Sequence, residues 1–356
     1  LIDGVVNGCP SHLLEPSRLQ KIQYSEAFNE TYWNKADVTF LGGQLSPSGD
    51  TSAFKVVANA TTSRHRLVSS PITTTNAEQT VSAYYKKGEV EYGVLGVSTA
   101  NVTNTYSTIY NLTDGTKLTS FSYGTSPFIS EKIESIGDYW RISITFQGSI
   151  NVYISIGTSN ATPTNVAGFP SYQGNSTSGV YIYGAQLEQG SYPTSYIPNY
   201  GTSAGITRSA ETANGAGDAS TFNDSEGVLM AEISALANDG TYKQIGIGNG
   251  VIGNEINISY DSTANRISVV YRVGSSYPVN LFVIGNSSTE LNKIVFKYKA
   301  NDFAFWLNGI KQSVNTTNST MISGLNNLKF ASGSGASNFY GNTKQLQYFD
   351  SALNDS

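Results

Sequence analysis

Apolar and polar residues alternate along almost the whole chain in short runs, and Gly, Pro, Asn and Asp punctuate them. Period-2 alternation puts successive side chains on opposite faces of a strand, so the pattern predicts β-structure throughout. No window keeps apolar residues at i, i+3, i+4 and i+7 for long, and the chain is expected to be all-β. Strands are expected from Tyr24 onward: Val38 to Leu41, Ala53 to Val57, Arg64 to Val68, Thr80 to Lys86, Glu91 to Val97 and Asn101 to Tyr110. After a hairpin turn at Asp114-Gly115, they continue at Lys117 to Tyr123, Ser130 to Ile136, Tyr139 to Phe146 and Ile150 to Ile156. The next strand begins GVYIYGAQLEQ at Gly179, with Val180, Ile182 and Gly184 on one face and Tyr181, Tyr183 and Ala185 on the other. Pro193 and Pro198 then remove backbone donors and stop the ladder, marking the end of a domain.

The remaining pattern divides the chain. Residues 1–22 carry turn signals (Asp3-Gly4, Asn7-Gly8, Cys9-Pro10) and read as a lead-in segment, and residues 23–200 read as a jelly roll. Residues 201–222 are small and polar and are expected to be a linker, with a second sandwich over residues 223–356. In that part strands are expected at Gly227 to Leu236, Lys243 to Gly248, Glu255 to Tyr260, Arg266 to Tyr271, Val279 to Val283, Leu291 to Tyr298, Phe303 to Leu307, Leu328 to Phe330 and Lys344 to Phe349. Asn308-Gly309 predicts a type I′ hairpin, because both central residues of that turn need positive φ. The fold class is therefore all-β, two tandem antiparallel β-sandwich (jelly-roll) domains.

Composition narrows the function. Charged residues make up 13% of the 356 residues and the net charge is −5, with Lys and Arg scattered singly, so no nucleic-acid partner is expected. The apolar runs are strand-length, short of the roughly 20 residues of a helical span, and no membrane insertion is expected. Residue 1 is Leu, and the chain is expected to be part of a longer polypeptide. Cys9 is the sole cysteine, so no internal disulfide can form.

Three passages carry a resemblance: GCPSHLLEPSR at Gly8 to Arg18, YSEAFNETYWNK at Tyr24 to Lys35, and GVYIYGAQLEQGSYPTSYIP followed by TRSAET at Thr207 to Thr212. With DYWRISITF at Asp138 to Phe146, they resemble a recurring module of phage structural proteins, tail or head fibres, whose body is similar to a carbohydrate-binding jelly roll. The remainder resembles concanavalin A-like, laminin-G-like sandwiches through KIVFKYKANDFAFWLNGIKQS at Lys293 to Ser313 and KQLQYFDSALND at Lys344 to Asp355. The resemblance implies a non-enzymatic virion fibre segment at the particle surface. It would bind a host-surface polysaccharide or glycoprotein, pack against other virion subunits and assemble as a homotrimer. The alternatives are a structural spacer or decoration protein, and an accessory glycan-binding region of a polysaccharide-degrading enzyme.

The residues themselves offer little catalytic chemistry. His12 and His65 lack zinc-ligand spacing, no GxSxG elbow occurs, and both histidines read as surface or boundary residues. Glu232 and Glu255 alternate with apolar residues and could form the carboxylate pair of a glycoside hydrolase, but solvated outward positions are the simpler reading. No cofactor is expected; a structural calcium is the one candidate, among the loop residues Asp114, Asp218, Asp224 and Asp239. Aromatic rings are the better lead, since sugar C–H faces stack on Tyr and Trp. Trp306, Tyr172, Tyr277 and Trp33 are the candidate carbohydrate-binding residues, while Trp140 shares a face with Ile142, Ile144 and Phe146 and is expected in the core.

Overall fold

The structure, a computed structural model, describes residues 11–99 and 103–354. The turns expected at Asp3-Gly4, Asn7-Gly8 and Cys9-Pro10, the start of the strand expected from Asn101, and Asp355 lie outside the described residues. Every regular element among the described residues is a β-strand, and the named strand pairs are antiparallel. The chain divides into two compact units, one containing Ser17–Ser209 and the other residues 11–16 and 210–354. Each unit is built on two six-stranded sheets.

In the N-terminal unit one sheet runs, edge to edge, Lys117–Tyr123, Asn104–Asn111, Tyr92–Thr99, Tyr153–Ser159, Arg66–Ser69 and Trp33–Ala36. The other runs Phe128–Ile136, Tyr139–Gln147, Glu78–Lys86, Gly179–Gln189, Ala53–Ala58 and Val38–Gln44. Alternate residues of both sheets, among them Val81, Tyr85, Leu95, Val97, Ile142, Ile144, Phe146, Ile154 and Ile182, fill the core between them. Trp140 is only half-buried at the rim of this core, its indole N–H donating to the Leu112 carbonyl at 3.0 Å.

The Gly179–Gln189 strand departs from simple alternation. Its register slips between Tyr183 and Gln186, where Gly184 takes φ 58°, and the extra residue of this bulge turns the rest of the strand over. Ala185, expected on the tyrosine face, is consequently buried in the core with Leu187, while Tyr183 joins Tyr84, Tyr139, Tyr181 and Tyr196 on the opposite side. The flip also brings Gln186 and Glu188 inward against the exit segment. Glu188 accepts hydrogen bonds from Gln186 Nε2, Thr194 N and Thr194 Oγ1, each at 2.7 Å. Gln20 is likewise fully buried: its amide donates to the Ala185 carbonyl and accepts from Leu187 N–H.

The C-terminal unit has one sheet of His12–Leu14, Gly341–Phe349, Glu226–Ala235, Asn292–Lys299, Phe303–Leu307 and Ile310–Asn315. Its second sheet holds Asn214–Ala216, Asn327–Lys329, Lys243–Gly248, Glu255–Tyr260, Arg266–Val273 and Ser276–Ile284. The stretch expected as a lead-in thus contributes structure: His12–Leu14 pairs with Gly341–Thr343 at the edge of the first sheet, and Arg18–Gln20 pairs with Ile206–Arg208 in the N-terminal unit. Within the stretch expected as a linker, Ile206–Arg208 and Asn214–Ala216 are also strands. Such three-residue strands are too short to show a period, and their partners are distant in sequence. Asn308 and Gly309 have φ of 52° and 81°, the backbone the two-residue hairpin requires.

Candidate functional site

The second sheet of the C-terminal unit presents a polar face that the strand period dictates. Ile245, Ile247, Ile256, Ile258, Ile267, Val269 and Val279 point into the core. The alternate positions Gln244, Glu255, Asn257, Ser259, Arg266, Ser268, Arg272 and Asn280 therefore share the other face. Register sets them in rows, Glu255 opposite Arg272 and Ser259 opposite both Ser268 and Gln244. The middle of this face is nevertheless covered: Glu255 is 4% exposed, Asn257 2%, Ser259 1% and Ser268 3%, whereas Gln244, Arg266 and Arg272 are half-buried and Asn280 is exposed.

The cover is the segment Ser332 to Ser337. It lies directly on the strand where Gly246 and Gly248 have no side chain; a Cβ on Gly248 would meet the Gly333 carbonyl oxygen at 2.4 Å. Asn257 Oδ1 accepts Gly333 N–H at 2.9 Å, and Glu255 Oε2 accepts Ser334 N–H at 3.1 Å. The result is an open groove of about 410 Å³ with Tyr242, Tyr277, Asn280 and Ser334 among its lining.

Charge in the groove is balanced. Arg272 Nη1 donates to Glu255 Oε1 at 3.2 Å, and Arg266 Nε sits 2.8 Å from Asp261 Oδ2. The Arg272 guanidinium also lies 4.9 Å from the ring centre of Tyr277, which is 54% exposed, so the rim aromatic is braced by a cation–π contact. Burial by itself raises the Glu255 carboxyl, but hydrogen bonds from Ser334, Arg272 and Asn257 outweigh it and hold the group below the ordinary carboxylate range. Glu255 is thus a fixed acceptor at neutral pH. A carboxyl held lower in the folded state contributes stability above its unfolded value, about 4.3, and loses it as pH falls through the folded one. Replacing Glu255 with Gln is therefore expected to flatten the decline in unfolding free energy below about pH 4.5, measured by denaturant titration across pH.

The suggested carboxylate pair is not assembled. Glu232 stands on the other sheet, bound to Lys344 Nζ at 2.7 Å, and Glu255 is buried rather than solvated. Glu255 and Asp261, the two carboxylates of the groove, are six residues apart along extended chain, roughly 20 Å. Glycoside hydrolysis needs its pair about 5–10 Å apart.

Of the aromatic candidates, Tyr277 lines the groove. Trp306 belongs to the other sheet, half-buried, with the Lys297 and Lys311 ammoniums 5.9 and 5.5 Å from its ring centre. Trp33 is not a platform: it is 1% exposed in the N-terminal core, where its indole N–H donates to the Tyr24 carbonyl. Nor is Tyr172 an exposed platform: the stretch PSYQGNST reads as a loop, but Tyr172 lies in the Phe169–Gln173 strand, buried, with its hydroxyl bonded to Thr158 and its ring edge-on to His65. His65 itself is fully buried rather than at a boundary, its ring nitrogens within reach of the Asp37, Thr61 and Tyr172 carbonyls. The loop aspartates are engaged as acceptors: Asp114 by Thr116, Asp218 by Ser220 and Thr221, Asp224 by Gly324 and Leu325, and Asp239 by Thr241 and Lys243. Sequence reasoning missed Asn257, Ser259, Arg266 and Arg272 as a group. Their alternation was visible, but not the loop that turns their face into a groove.

No family model matches the chain, and no curated protein matches it in sequence. Among solved structures, the CBM40 of the Ruminococcus gnavus IT-sialidase, bound to alpha2,3 sialyllactose, is similar with a TM-score of 0.34 and 14% identity, over 40% of this chain and 89% of that one. The K499G mutant of NanB sialidase from Streptococcus pneumoniae has a TM-score of 0.32 and 16% identity, over 38% of this chain and 24% of that one. Domains LG4-5 of the mouse laminin alpha1 chain have a TM-score of 0.28 and 9% identity, over 99% of this chain and 96% of that one. None of the three is a phage fibre. The chain is an all-β protein of two tandem antiparallel jelly-roll sandwiches.

Proposed function

We propose that the groove of the C-terminal unit binds a glycan without reacting with it. The observation that carries this reading is the row of buried polar side chains, Glu255, Asn257, Ser259 and Ser268, at the floor of an open groove rimmed by the exposed ring of Tyr277. A sheet fixes donors and acceptors at set spacings, so sugar hydroxyls meet preorganised partners while a tyrosine face covers the C–H side of the ring. The sequence passages that resemble phage fibre modules support the setting: a homotrimeric virion fibre segment, attaching to a host-surface polysaccharide, in which repetition of a weak site supplies avidity. An accessory region of a polysaccharide-degrading enzyme would use the same groove in the same way.

The test is a glycan array probed with the multivalent protein, followed by calorimetry on the hits. Tyr277→Ala and Asn280→Ala are each expected to weaken binding about tenfold, the equivalent of about 1.4 kcal/mol, and Tyr277→Phe to retain most of it. Absence of any binding at high valency, or binding indifferent to both alanine variants, overturns the reading. Steady release of reducing ends from a bound polysaccharide would replace it with a catalytic one.

A further inference from the structure

The N-terminal unit carries a larger open groove, about 690 Å³, which the reading above leaves unused. Lys21, Gln23, Tyr24, Tyr32, Ser70 and Thr73 supply its chemistry. The backbone beneath is well tied. Lys21 N–H donates to the Leu187 carbonyl at 2.9 Å, and the Tyr32 carbonyl accepts from Ser70 N–H at 2.8 Å and from Ser70 Oγ at 3.1 Å. Gln23 Nε2 donates to the Gly201 carbonyl at 2.9 Å, and the rings of Tyr24 and Tyr32 sit 6.0 Å apart at 57°. Two tyrosines held at such an angle make a stiff corner of apolar faces with hydroxyls around them.

Charge distinguishes this groove from the other one. Among the described residues Lys21 is the sole charged residue of the lining and forms no ion pair with a carboxylate, and its ammonium reaches the Thr73 carbonyl at 3.4 Å. Partial burial strips water from that ammonium and lowers its proton affinity. In a chain of net charge −5, a cation without a carboxylate partner in a groove that two tyrosines also line is a place where an anion gains a charge-assisted hydrogen bond at little competition from the protein. The volume lies within the range of small-ligand sites.

We propose that the N-terminal groove is a second saccharide site, specific for an acidic sugar whose carboxylate pairs with Lys21 while its ring lies against Tyr24 and Tyr32. The site is independent of the C-terminal groove, whose two guanidiniums are already matched by two carboxylates. The experiment titrates the full chain at low salt with trigalacturonate and trimannuronate, and with the methyl ester of each, a neutral molecule of nearly the same shape. At least one acid is expected to bind, its ester about tenfold more weakly, and Lys21→Met to bind the acid no better than the wild type binds the ester. Lys21→Arg should keep the preference, raised salt should weaken it, and Tyr277→Ala should leave it unchanged. Melting curves check that Lys21→Met is folded. Failure of both acids to bind, equal affinity for acid and ester, an unaffected Lys21→Met, or loss of the preference in Tyr277→Ala each overturns the proposal. The last of these would move the acid to the C-terminal groove, so the two sites fail separately.

Discussion

Glu188→Ala is expected to cost the N-terminal unit about 3 kcal/mol of stability, within the range for removing one member of a buried charged network. The side chain is wholly buried, and its two oxygens accept from Gln186 Nε2, Thr194 N–H and the Thr194 hydroxyl. Arg18 Nε stands 3.7 Å away. Alanine leaves the Thr194 N–H and hydroxyl in a dry site without partners, while Gln186 Nε2 keeps the Thr194 carbonyl at 3.3 Å, and each uncompensated donor carries a desolvation penalty of about 1–3 kcal/mol before the site relaxes. The network also fixes the chain's exit from the sandwich, because Gln186 Oε1 accepts the Ile197 N–H at 2.7 Å. Hydrogen exchange should therefore show the loss locally, with amides of residues 185–199 deprotected before the rest of the unit. Glu188→Gln, which keeps one acceptor oxygen, should fall between wild type and alanine. Unfolding midpoints equal to wild type in both variants would show that the network contributes nothing net.

Gly248→Ala is expected to destabilise the C-terminal unit by about 2 kcal/mol and to weaken glycan binding about tenfold. The nearest obstacles to the new methyl are backbone atoms of Gly333, its carbonyl oxygen at 2.4 Å and its carbonyl carbon at 2.7 Å, and backbone cannot rotate out of the way as a side-chain tip would. The wall must lift as a piece. Lifting it pulls Gly333 N–H from Asn257 and Ser334 N–H from Glu255, so the floor of the groove loses two bonds and gains water. Faster hydrogen exchange across residues 330–338 together with weaker binding is the expected pair of results. Wild-type affinity in a variant whose wall has become mobile would show that the ligand does not use this groove.

Much of the fold was legible because β-structure writes itself into sequence at period 2. The Arg266–Val273 strand, RISVVYRV, shows its inner residues Ile267, Val269 and Tyr271 without further help, and Asn308-Gly309 names its own turn through the positive φ of both residues. The bulge at Gly184 was not legible, since one extra residue leaves no mark in the alternation except a glycine, and glycine has many uses. Aromatics misled for a related reason. Tyr172 sits among polar residues in PSYQG, a stretch that reads as loop, yet it is covered by His65 and Thr158 from elsewhere in the chain.

By itself, then, the sequence determined an all-β chain, which positions alternate inward, and where its tightest hairpin turns, because each of these is a local property of neighbouring residues. Only the tertiary structure decided what the outward faces are for. Glu255, Asn257 and Ser259 carry the same alternation as any solvated strand, and they become the floor of a groove solely because residues 332–337, some eighty positions away, settle on two glycines beside them. Lys21 is likewise one scattered lysine until packing puts it in one groove with Tyr24 and Tyr32, with no carboxylate among the described residues of the lining. Burial and pairing depend on contacts between distant segments, and alternation carries no record of which segment will arrive.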